Sequence, residues 1–358
     1  MSDNKTAILV AAAAIAAQAC FPLDYADEEF TNAIPEEEDL VVRIGSDDSD
    51  TVSPSGLISV DGQLDPYVED YCSDSLCIED DGAEEWYVDG DIYQMTRDAK
   101  YWVNGGLVVT MGWVWAIVTS PNPEETATGY IWGPWQESLS RIEFRFVMNK
   151  VSSGDFTFQL EGRNINDDTG DWATVVDGAI VAGDSPHSSA GTVIIDYDVI
   201  HDIDVSHPTP DTGRIIYDFD VRDYPYTVDA TFENFNPWED RVVEGTYHYV
   251  RQSSGMAGSL GFSLEDDFWP EDALDGVTET LQVMSEWTSS GKGRGRAEIY
   301  GGSLDLEEDE VDEVTLDECW ASSDCLFYST YASAVVDYDG GGAATVPGCG
   351  DILSCPVF

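Results

Sequence analysis

The sequence predicts an all-β protein, an antiparallel meander of about ten or more strands forming a barrel, half-barrel or sandwich. Three observations predict it. From about residue 86 onward, apolar and polar residues alternate with period two in one segment after another, as half-buried strands require. Clusters of Gly, Ser, Asp and Pro separate these segments at intervals of about 10–15 residues. No amphipathic helical pattern longer than two turns is legible among them.

Taken in order, the alternating segments are 142–146, 156–160, 195–199 and 216–221, followed by 226–232, 242–250, 259–264, 280–287 and 296–300. The turn-rich pieces are 152–155, 167–171, 208–213, 253–255 and 291–293. Residues 270–274 are expected to make a single helical turn. One stretch, 106–118 (GLVVTMGWVWAIV), is apolar on both faces. It is expected to be a strand covered on both sides, with Trp113 and Trp115 either in the core or lining an interior pocket.

Composition narrows the function classes. The chain has 358 residues, with 71 acidic side chains against 15 basic ones and a formal net charge of −56. Such a chain repels nucleic-acid phosphate and anionic lipid headgroups, so no nucleic-acid partner is expected. At 42% hydrophobic and 11% aromatic it has enough apolar material for a core and is not an acidic disordered tail. The acid surplus is accounted for by screening in a saline or cation-rich medium, without invoking a ligand.

The N-terminus carries an address. Residues 1–5 are polar with one lysine, and residues 7–19 form a continuous apolar run. That run is shorter than the roughly 20 residues a bilayer span needs, and it suits the central region of a secretory signal. It ends in Ala17-Gln18-Ala19-Cys20. Over these 20 or so residues the chain resembles a bacterial lipoprotein precursor, although such precursors usually have Leu where Ala17 stands. The resemblance implies cleavage before Cys20 and a diacylglycerol on its thiol, hence a membrane partner through a lipid anchor at the outer membrane or cell surface. Ordinary cleavage after Ala19 fits the same residues and would leave a periplasmic or secreted protein.

Setting Cys20 aside, six cysteines remain in close pairs: Cys72 and Cys77, Cys319 and Cys325, Cys349 and Cys355. Their gaps are wider than those of zinc ribbons and no histidine lies near, so disulfides are expected. Cys72–Cys77 reads as a local loop. The last four can pair locally or nested, as Cys319–Cys355 and Cys325–Cys349. The nested form, which would staple the C-terminal strands, is preferred. The expected layout is a signal peptide over 1–19, an acidic tether with a small disulfide loop over 20–85, and a β domain over 86–358. Apolar pieces of the tether such as 40–44 can dock on that domain.

Residues with catalytic chemistry do not stand out. No G-x-S-x-G, H-E-x-x-H or P-loop pattern is present, and Ser289 to Lys292 matches S-x-x-K only in a glycine-rich turn. His201 and Asp202 would point to opposite faces of a strand. Asn164, Asn166 and Asp168 mimic the alternating ligands of a calcium loop, but the glycine falls one place late and no Glu closes the loop, so an Asx turn explains them as well. Structural calcium is the one cofactor considered. Trp132 and Trp135, with Trp113 and Trp115, are the candidate ligand platform. The expected function is a non-catalytic cell-envelope or surface protein with a binding or structural role, whose partners are other envelope proteins, glycans or an apolar ligand. The alternatives are a carrier of an apolar ligand or lipid in a curved sheet and a secreted hydrolase using paired carboxylates.

Overall fold

The computed structural model describes residues 28–44, 91–121, 123–136, 141–166, 170–203, 212–238, 241–252, 257–266, 278–306, 309–320 and 326–333. Most of them form one 14-stranded sheet in which every strand pairs antiparallel with the next in sequence. It begins with β1 (Glu124–Glu125), β2 (Gly129–Gln136), β3 (Ile142–Ser152), β4 (Asp155–Asn164) and β5 (Ala173–Ala182). It continues through β6 (Ser189–Asp196), β7 (Thr212–Asp220), β8 (Tyr226–Trp238), β9 (Arg241–Arg251) and β10 (Gly258–Asp266). It ends with β11 (Glu279–Trp287), β12 (Gly293–Leu306), β13 (Asp309–Trp320) and β14 (Leu326–Ser333). The order is linear, with β1 and β14 at its edges, so the meander is not closed into a barrel.

Alternation does what the sequence predicts for it. One face is a continuous buried row across ten strands, Met148, Phe158, Gly178, Val193, Tyr217, Ala230, Tyr247, Phe262, Val283 and Ala297, each opposite the next. Small residues are interspersed among large ones, and the Phe158 ring fills the space above Gly178, where a Cβ would lie 2.1 Å from it. The other face carries cross-strand charge pairs in register, Arg145 with Glu161 at 2.5 Å, Arg163 with Glu143, and Arg296 with Asp317 at 2.7 Å. The Trp172 ring lies 4.4 Å from both the Arg145 and the Arg163 guanidinium.

The main correction concerns 106–118. It is not a strand but the second half of a 28-residue helix, so the expectation that no helix exceeds two turns fails as well. Two short helices precede it, α1 (Glu28–Ala33) and α2 (Glu37–Leu40), and the long one is α3 (Asp91–Val118). Among the described side chains of α3 the buried ones are Ile92, Thr96, Ala99, Lys100, Val103, Asn104, Leu107, Val108, Thr110, Met111, Val114, Ile117 and Val118, a three-and-four spacing that Thr110 alone departs from. Its C-terminal half is rich in valine, glycine and tryptophan and enclosed from more than one side, so the apolar stripe widens until the period is hard to read.

Contacts place α3 across the buried face of the sheet. At its start the Ile92 N–H donates to the Glu318 carboxylate on β13 at 2.8 Å, a cap delivered from 226 residues away to the positive end of the helix. One turn on, the Thr96 and Ser285 hydroxyls meet over β11. Further along, Gly106 lies against Tyr217 of β7, and just past the helix end the Ser120 carbonyl accepts the Trp132 indole N–H of β2 at 3.4 Å. From β2 to β13 is eleven strand steps, about 53 Å if flat. The helix is only about 42 Å long. The sheet therefore has to curl around it.

A smaller correction falls at 195–199. The strand ends at Asp196, whose Oδ1 accepts the Val199 N–H at 3.0 Å and caps α4 (Tyr197–Ile203). The docking expected for residues 40–44 is present, with Leu40, Val41, Val42 and Ile44 all buried. Among the described residues, no helix is long and apolar enough to cross a membrane. The helical turn expected at 270–274 lies outside the described residues.

Candidate ligand groove

The flank of α3 that the sheet leaves open is met by residues 28–44, which are strapped down at four places. Phe30 of α1 is fully buried, edge-on to Phe156 with ring centroids 5.0 Å apart. Glu29 pairs with Lys150 and accepts the Gly154 N–H at 2.7 Å, contacts that hold its carboxyl below the usual range, the lysine contributing most. The Asn104 amide of α3 accepts the Val42 N–H at 2.8 Å and donates to the Val42 carbonyl at 3.0 Å, imitating one rung of a strand ladder. Arg251, buried on β9, donates to the Glu38 carbonyl at 2.7 Å and to the Asp39 carboxylate at 2.9 Å. Its guanidinium also lies 4.7 Å from the Tyr226 ring.

A fifth contact comes from the loop between β5 and β6. His187 donates its backbone N–H to the Asn32 carbonyl at 2.6 Å, and its Nδ1 lies 2.8 Å from the Ile34 carbonyl. Its φ of 63° is in the left-handed region, which a non-glycine residue occupies only when its surroundings require it.

Between the strap and the helix a groove of about 340 Å³ remains, lined by Pro35, Glu36, Glu37, Leu40, Val108, Met111, Gly112, Trp115 and His187. Val108, Met111 and Leu40 are buried and form its apolar floor, while Trp115 is 50% exposed, unusual for so large an apolar ring. At Gly112 an added Cβ would meet nothing within 4 Å, so the groove is open there. Apolar walls with a few convergent polar groups are the usual make-up of a small-molecule site.

The sequence-predicted site residues scatter. Trp115 lines a surface groove, neither in the core nor in an interior pocket, the two placements expected, and Trp113 is half-buried on the same helix. Trp132 is 2% exposed, packed against Phe146 with centroids 5.6 Å apart, and belongs to the core. Trp135 is partly buried against that core. The four tryptophans therefore do not form one platform.

Asn164 donates through Nδ2 to the Ile203 carbonyl at 3.1 Å and accepts the Asn166 N–H at 3.0 Å, an Asx turn. Asp168 lies outside the described residues, and among those described no group of three His, Cys, Asp or Glu side chains is placed to hold a metal. His201 sits on α4 rather than on a strand. Cys319 is buried on β13, whereas Cys20, Cys72, Cys77, Cys325, Cys349 and Cys355 lie outside the described residues. Sequence reasoning missed Glu36, Glu37, Gly112 and His187. Only the fold brings them together, and the acids read as part of a solvated run. Compared with protein families, curated proteins and solved structures, the chain matches none.

Proposed function

We propose that this is an exported, lipid-anchored, non-catalytic protein of the cell envelope that binds a ligand in the groove between α3 and residues 28–44. The observation that carries the binding role is Trp115, half exposed over an apolar floor at the mouth of that groove. The apolar run over 7–19 and Ala17-Gln18-Ala19-Cys20 support export and acylation of Cys20. An even set of six further cysteines supports an oxidising compartment, with Cys319, buried beside Trp320, as one half of a disulfide that staples the C-terminal strands.

The buried face of the curled sheet is occupied by the protein's own helix and by aromatic side chains such as Phe146, Phe158, Tyr217 and Phe232. That packing favours a ligand on the outer flank of α3 over one held inside the sheet. Fractionation of cells producing the full precursor tests the address. The native chain should sediment with membranes and the Cys20→Ser chain should not. A Cys20→Ser chain that still sediments with membranes would overturn the anchor.

A further inference from the structure

Resting on the groove reading above, we propose that the groove selects a cation with a single short apolar tail, an alkylammonium. The direction in which each polar group can bond sets the preference. A backbone carbonyl only accepts, so the Nδ1 of His187, 2.8 Å from the Ile34 carbonyl, must carry the hydrogen. In the neutral ring Nε2 is then an acceptor. Glu36 and Glu37 are acceptors as well, and among the described residues no lysine or arginine lines the groove. The charged and ring-nitrogen groups at the rim thus ask for a donor.

Trp115 adds to the same preference, because an exposed indole face attracts cations through its quadrupole. The floor of Val108, Met111 and Leu40 offers nothing to a charge and takes the tail. A volume of about 340 Å³ is at the small end of ligand sites, enough for one short chain. The net charge of −56 draws cations to the protein and repels carboxylates before either reaches the groove.

Gly112 supplies a clean block. A leucine there extends into open space rather than into the core, and it suits a helix better than glycine. The test is calorimetric titration of the chain with n-octylammonium, octanoate and methylammonium at one ionic strength. Octylammonium should bind at least about tenfold more tightly than octanoate, and methylammonium should show no saturable binding. Replacing Glu36→Gln and Glu37→Gln together should remove most of that tenfold preference. Gly112→Leu should abolish octylammonium binding while keeping the circular dichroism spectrum and a urea midpoint no lower than that of the native chain.

Octanoate binding as tightly as octylammonium, with both lost in Gly112→Leu, would overturn cation selection and leave the groove standing. Binding of neither amphiphile, or octylammonium binding untouched by Gly112→Leu, would overturn both readings.

Discussion

The place where α3 comes closest to the sheet can be probed with a single methyl group. Replacing Gly106→Ala would set a Cβ 1.7 Å from the Tyr217 hydroxyl and 2.5 Å from its ring Cζ, against an ordinary contact of 3.4 Å or more. Tyr217 is fully buried in the row between Val193 and Ala230. On an exposed helix, Gly→Ala stabilises by about 1 kcal/mol. Here the overlap puts the substitution at the upper end of the overpacking cost, about 3 kcal/mol. The expected net loss is therefore about 2 kcal/mol in urea unfolding followed by far-UV circular dichroism.

Tyr217→Phe sharpens this prediction. The hydroxyl has no hydrogen-bond partner among the described residues, and burial pushes its ionisation far above the ordinary tyrosine range. Its removal should therefore be neutral or stabilising by up to about 1 kcal/mol. In the double variant about half of the alanine penalty should return, since Cζ still crowds the new methyl. A Gly106→Ala protein that is more stable by about 1 kcal/mol, with no coupling to Tyr217, would mean that α3 does not lie against β7.

Two further outcomes concern the strap that forms one wall of the groove. Arg251→Met keeps the buried stem but strands the Asp39 carboxylate and the Glu38 carbonyl. It should cost about 2–3 kcal/mol and open residues 28–44 to proteolysis before the sheet unfolds, whereas an unchanged cleavage pattern would contradict the contact. The Glu29 carboxyl is depressed by Lys150 and the Gly154 N–H, so what it contributes is complete above the ordinary glutamate value of about 4.3. It is lost as pH falls through the depressed value. Proteolysis of α1 should accelerate only as pH drops below about 4, and acceleration on the alkaline side would show that the sign is wrong.

The sheet was legible because each strand has one wet face. Residues 142–146 keep strict alternation and 280–287 break it only at Met284 and Ser285, since β3 and β11 are buried on one side only, and the turns at 152–155 and 291–293 fall where glycine relieves a positive φ at Gly154 and Gly291. Helix α3 was not legible over 106–118 because it meets Tyr217 on one side and the strap on another, so valine, methionine and tryptophan occupy most of its circumference. The turn into α4 left a signal in Asp196, a good N-cap residue three places before Val199, but the alternation of 195–199 outweighed it.

The groove follows the same logic. Trp115 stood out as an aromatic in an apolar run, but its rim could not be foreseen. Glu36 and Glu37 are more than 70 residues before the groove-lining Val108, Met111 and Trp115 of α3, and His187 is as far again on the other side. Nothing local distinguishes these two acids from Glu38 and Asp39, which Arg251 ties to the sheet. The strap owes its position to long-range contacts from Asn104, Arg251 and His187, none of which has a periodic signature.

The curled sheet and the groove both require α3 to lie across the buried face with one flank left open, and a cross-link reads that arrangement directly. The Thr96 and Ser285 hydroxyls touch although 189 residues separate them in sequence. Cysteines at both positions should therefore oxidise to a disulfide in the folded chain, seen by mass spectrometry as a peptide joining α3 to β11. Two free thiols at 96 and 285 in a chain that retains its native circular dichroism would contradict the placement of the helix, and with it the groove.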